Sequence, residues 1–263
     1  MHRSAVRAGM RATGQRIALA IAIVAIPALQ SCQRVETRQG PALVASEELV
    51  YARATDGIVS GGALFRARSA AVKPIAVIWI HGTGVNFYYP SYVKIARELA
   101  SRGVTTVLGN TRMHDLGNIA AFRDAGWIRG GTYWGITTDQ VRDLAAWIKF
   151  ADERGFHRVI LVGHSAGATA VQIYESRTQD PHVAGLVLAS GHFRAGAPPV
   201  DSARLEQARR LVAEGRGEDP TPPIDSRPNP RLTSAATLVE WPTKMGHLRS
   251  AKVARARATS STR

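Results

Sequence analysis

Apolar and polar residues follow one another along this chain in two rhythms. Short, largely apolar runs (75–80, 159–163 and 183–189, with Val104 to Leu108 as a further strand interrupted by Thr105 and Thr106) are separated by longer stretches whose apolar residues recur at helical spacing. An unbroken run predicts a strand buried on both faces, as in a parallel sheet. Between the runs, Tyr92, Ile95, Ala96 and Leu99 share one helical side, with Ser91 after Pro90 as the cap and Gly103 as the stop. Asp139 is placed to cap a second helix with the stripe Val141, Leu144, Ile148 and Ala151, ended by Gly155. Residues 166–176 read as a third helix. Ahead of these, residues 49–65 with their Asp56-Gly57 turn signal predict a hairpin of entry strands. Strands alternating with helices predict an α/β fold: a doubly wound, mostly parallel sheet with helices on both faces and right-handed crossovers. Ligands in such sheets sit at the carboxyl ends of the strands.

Beyond Gly191 the rhythm lapses. Residues 201–214 read as a helix, 217–230 as a Pro-rich loop and 233–241 as a short helix. Residues 244–263 carry Lys, Arg, Ala and Ser without apolar periodicity, and read as disordered. The expected layout is a signal peptide at 1–31 and a tether at 32–47. A folded domain follows at 48–243, cap-like and irregular in 191–243, then a basic tail at 244–263.

Net charge changes this picture little. The chain of 263 residues carries +14, but four basic residues lie in 1–16 and six in 244–263, with no acid in either segment. The 24 basic and 20 acidic residues between them leave only +4. No basic face interleaved with aromatics appears, so nucleic acid is not an expected partner. At the amino end, Arg3, Arg7, Arg11 and Arg16 precede an apolar run from Ile17 to Leu29. That run suits the core of a secretory signal better than a membrane span. It closes Leu29-Gln30-Ser31-Cys32, which resembles the lipobox of bacterial lipoproteins, with Gln30 an unusual member. Cys32 is the only cysteine, so it has no partner for an internal disulfide. Lipidation of Cys32 would attach the exported protein to the cell envelope; plain secretion with an incidental cysteine is the other reading.

Three polar clusters fall at predicted strand ends: His81-Gly82-Thr83-Gly84, the segment from Asn110 to Asp115, and Gly163-His164-Ser165-Ala166-Gly167. The last is a G-x-S-x-G turn between strand and helix, which holds a serine hydroxyl above a sheet. Together these motifs resemble the α/β-hydrolase superfamily, in its lipase/esterase-like part, over roughly residues 48–215. The resemblance implies an acyl-enzyme at Ser165 and oxyanion donors from the backbone of Ala166 and Thr83. A small-molecule ester or acyl substrate follows, with no cofactor. No His/Cys/Asp cluster has metal-ligand spacing. His81 is read as orienting its loop and His164 as pointing away from the nucleophile. The segment from Arg112 to Asp115 is read as a buried ion pair or cap, with pocket lining as the alternative. Residues 130–135 are read either as a pocket rim or as a packed loop.

The base is the open question. The resemblance implies an acid and then a histidine after the serine, following two further strand–helix units. Only one apolar run follows the elbow, so the last two units are expected to be missing from this chain. His247 and His192 are the candidate bases, His247 within the basic tail and His192 just after the run at 183–189. A non-catalytic envelope lipoprotein, a binding module or a truncated fragment stands as the alternative to an active enzyme.

Overall fold

The computed structural model describes residues 45–67, 74–123, 126–191, 202–221 and 232–240. Cys32, His192 and His247 lie outside them, as do the expected signal peptide and the basic tail.

The entry hairpin forms as expected. Strand β1 (Ala45–Arg53) pairs antiparallel with β2 (Val59–Ala67) around a turn closed by Ala54 N–H to Ile58 O and Gly57 N–H to Ala54 O. The apolar runs become β3 (Ile75–Ile80), β4 (Thr106–Gly109), β7 (Arg158–His164) and β8 (Val183–Ala189). Between β4 and β7 lies an antiparallel hairpin, β5 (Asn118–Arg123) with β6 (Gly126–Gly130), that the hydrophobic pattern does not signal. The sheet runs β6-β5-β2-β4-β3-β7-β8, with β1 also on β2. Its β4-β3-β7-β8 portion is parallel throughout. The expected α/β sheet is therefore present, with its antiparallel side larger than the pattern indicates.

Helices cover both faces. Alternate residues of one strand point to opposite sides: Leu64, Ile78 and Val107 join α2 (Gln140–Asp152) and α3 (Ala166–Thr178) in one core. Ala63, Phe65 and Leu108 join α1 (Pro90–Ser101) in the other. Each fully buried Leu, Ile or Phe contributes about 1.5–3 kcal/mol, so these layers dominate the stability of the sheet. Trp147 of α2 is fully buried and donates its indole N–H to Asn110 O at 2.7 Å, tying α2 to the end of β4.

Two helix details differ from the expectation. Helix α1 starts at Pro90, where a missing N–H costs nothing, so Ser91 lies inside it and caps nothing. Its buried residues are Tyr92, Val93, Ala96 and Ala100, and Ile95 is 38% exposed. The apolar stripe is wide, and contact with β2 and β4 selects its phase. Asp139 likewise does not cap α2; it sits in a short 3-10 turn (Thr137–Asp139) leading into the helix. The Glu240 carboxylate caps that turn instead, accepting Thr137 N–H at 2.6 Å and Thr138 N–H at 2.7 Å.

Helix α4 (Ser202–Ala213), the two-residue strands β9 (Pro220–Thr221) and β10 (Thr233–Ser234), and helical residues 235–240 form a small separate layer. Ala208, Ala235 and Leu238 are its core. It is pinned to the loop after β6: Ser234 N–H donates to Tyr133 O, the Trp134 indole to Glu218 O, and Thr237 Oγ1 to Gly135 O. Among the described residues, no helix is long and apolar enough to cross a membrane, and no His/Cys/Asp/Glu group could hold a metal.

Candidate active site

Strand β7 and helix α3 are joined by one residue, Ser165. Its backbone takes φ 51° and ψ −115°, outside the regions that L-residues favour. Such a conformation costs about 1–3 kcal/mol and persists only where its surroundings enforce it. Here they do. Ser165 N–H donates to Ala189 O of β8 at 2.8 Å, and Ser165 O accepts Ala168 N–H. The flanking glycines are required by close approach. A Cβ on Gly163 would collide with the Gly167 carbonyl, and one on Gly167 would lie 2.5 Å from the backbone oxygens of Ile80 and His81. The first N–H groups of α3 have no carbonyl within their own helix and carry its positive partial charge.

The loop after β3 faces this turn, and it is held by buried polar groups. His81 is 3% exposed. Its Nε2 accepts Thr111 N–H at 3.1 Å, which assigns its proton to Nδ1, the donor to Gly82 O at 2.9 Å. Burial, the largest effect, pushes its pKa down to about 4, so it is neutral across the physiological range. Both nitrogens are occupied, and His81 orients its loop. Tyr92 supplies a second brace from α1. Its hydroxyl accepts Gly82 N–H at 3.2 Å and bonds His164 Nδ1 at 2.8 Å. That one hydroxyl joins the β3 loop to the elbow through His164 Nδ1. In the sequence pattern Tyr92 reads only as one apolar member of a helix stripe, and nothing local to it signals this role.

The segment after β4 divides by residue. Arg112 is 7% exposed; its Nε and Nη2 bond Asp143 of α2, its Nη1 bonds Asp56 of the β1–β2 turn, and its backbone N–H also donates to Asp143. The two carboxylates hold its guanidinium pKa above the usual value despite burial. This is the buried ion pair that the sequence leads one to expect. His114 Nδ1 contacts Asp115 Oδ2 at 2.8 Å, while Met113 lines the cavity. Residues 130–135 contribute to both alternatives: Tyr133 lines the cavity and Trp134 is tied down as described.

A cavity of about 100 Å³ opens beside the elbow. Thr83 and Ala166, the two expected oxyanion donors, both line it, together with Gly167, Thr132, Gln140 and Glu240. Each of the five described imidazoles has a partner on Nδ1: His81 the Gly82 carbonyl, His164 the Tyr92 hydroxyl, His114 Asp115, His157 Asp152 and His182 Asp180.

The profile of the alpha/beta hydrolase family matches residues 77–261. No curated protein matches significantly. Among solved structures, the chain is similar to DcsB, determined in complex with its substrate analogue (18% identity, TM-score 0.55, covering 77% of this chain and 76% of that one). It is also similar to the alpha/beta hydrolase GrgF from Penicillium sp. sh18 (15%, TM-score 0.55, covering 75% and 73%). The esterase Pf2001 from Pyrococcus furiosus matches at 16% identity and TM-score 0.44, over 66% of this chain and 60% of that one, so the chain spans less than two thirds of its length. Likeness at these identities speaks for the fold. With the family profile covering well over half of the chain, and the parallel sheet and strand–Ser–helix turn in place, this protein belongs to the alpha/beta hydrolase family.

Proposed function

We propose that the protein is a serine hydrolase of small carboxylic esters, with Ser165 as nucleophile. The observation that carries this reading is the strained Ser165 backbone at the head of α3, beside a cavity walled by Thr83 and Ala166. Ser165 Oγ would attack the ester carbonyl while its proton passes to an imidazole. The backbone N–H groups of Ala166 and Thr83 would hold the oxyanion. The imidazole would then protonate the departing alkoxide, and water would release the acid from the acyl-enzyme. The imidazole belongs to His192 or His247. His192 has the stronger claim, because β8, the strand preceding it, runs beside the elbow and bonds Ser165 through Ala189. Export and attachment to the cell envelope through a lipid on Cys32 complete the reading. Incorporation of labelled palmitate, absent in Cys32→Ala, tests that anchor.

The decisive experiment is fluorophosphonate labelling together with p-nitrophenyl acetate hydrolysis. Ser165→Ala should abolish labelling and lower turnover by at least about a thousandfold. Equal rates for wild type and Ser165→Ala would remove Ser165 as nucleophile. His192→Ala and His247→Ala, run in parallel, identify the base as the variant that loses labelling.

A further inference from the structure

The cavity beside the elbow differs in one respect from a pocket for an acyl chain. Met113 is the one large aliphatic side chain on its wall. Polar side chains share that wall, and several of them are already hydrogen-bonded. Thr132 Oγ1 donates to Asp115 O and accepts Gly84 N–H. Gln140 Oε1 accepts the Thr111 hydroxyl, and its Nε2 donates to Thr137 O. Thr237 Oγ1 donates to Gly135 O. Glu240 is the acid on that wall. Each carboxylate oxygen accepts a single backbone N–H, from Thr137 or Thr138, and a carboxylate offers about four acceptor sites. Among the described residues these two amides are its hydrogen-bond partners, and neither carries a formal charge.

A carboxylate in the cavity where an oxyanion develops opposes that charge. A substrate that brings a cation to Glu240 removes the conflict and uses the spare acceptor sites. Resting on the reading of Ser165 as an ester-cleaving nucleophile, we infer that the preferred substrates are amine-bearing esters, aminoacyl esters among them. Their ammonium pairs with Glu240.

Glycine methyl ester and methyl propanoate have the same heavy-atom count and differ in the ammonium group, which is charged at mildly acidic pH. Wild type should favour the glycine ester by about tenfold or more in kcat/KM, the worth of one charge-assisted hydrogen bond. The ratio should fall towards one in Glu240→Gln. Because Glu240 also caps the turn before α2, a wild-type measurement stands beside the variant: methylammonium should inhibit methyl propanoate hydrolysis competitively, and less so at high salt. Calorimetric binding of glycine methyl ester to wild type and to Ser165→Ala reads the pocket without turnover, so loss of the Ser165 mechanism is distinguishable from loss of this inference. No preference in wild type, a preference kept in Glu240→Gln, or equal losses on both esters would each overturn it.

Discussion

The two ends of the parallel sheet use the same residue types to different ends. At the amino ends of β7 and β8, His157 contacts Asp152 at 2.6 Å and His182 contacts Asp180 at 2.8 Å. The His157 side chain is 75% exposed and His182 41%. At the carboxyl end, His81 and Arg112 are almost fully buried, and each is held by groups from another element, His81 by Thr111 and Arg112 by Asp143 and Asp56. The strained serine and the lined cavity are at that end only. A histidine–carboxylate contact by itself is therefore weak evidence for a site. Polar groups removed from water, a backbone held out of its preferred region and an adjacent cavity together are much stronger.

That contrast predicts a ladder of effects. Asp143→Ala would leave a buried guanidinium with Asp56 as its remaining carboxylate within 3.5 Å, and should cost about 3 kcal/mol, the lower part of the range for breaking a buried pair. Denaturant melts measure it, and a loss under 1 kcal/mol would show that water reaches Arg112. His81 predicts a pH effect of similar size. Its folded pKa of about 4 lies below the unfolded value near 6.5, so the unfolded chain takes up the proton first. Stability is whole above about pH 6.5 and falls by about 3 kcal/mol as pH drops towards 4. His81→Asn should flatten that part of the profile. Tyr92→Phe strips a partner from Gly82 N–H and from His164 Nδ1, and should cost about 1–3 kcal/mol while slowing fluorophosphonate labelling. Unchanged stability and labelling would mean the hydroxyl is dispensable as a brace. At the other end of the sheet, Asp152→Asn should cost less than about 1 kcal/mol, since its partner is exposed. A larger loss there would erase the distinction between the two ends.

Legibility in the sequence follows the distance over which each feature is built. The elbow spans consecutive residues, 163–167, so its turn and both glycines are readable from the order of residues alone. The apolar runs that form β3, β4, β7 and β8 are readable for the same reason. The β5–β6 hairpin is not: its strands are short and do not alternate apolar with polar residues. Glu240 is one acidic residue among several, and nothing near it in sequence points to Thr137, 103 residues away.

What the chain determined by itself was the order of strands and helices and the position of the strained serine. These follow from local steric limits and from apolar periodicity, which act over a few residues. The tertiary structure decided which face of α1 is buried, which carboxylate caps the turn before α2, which hydroxyl joins the β3 loop to the elbow, and which acid shares the cavity with Thr83 and Ala166. Those choices depend on burial and hydrogen-bond satisfaction between residues far apart in sequence, and such partners become defined only when the sheet has assembled and water has been excluded.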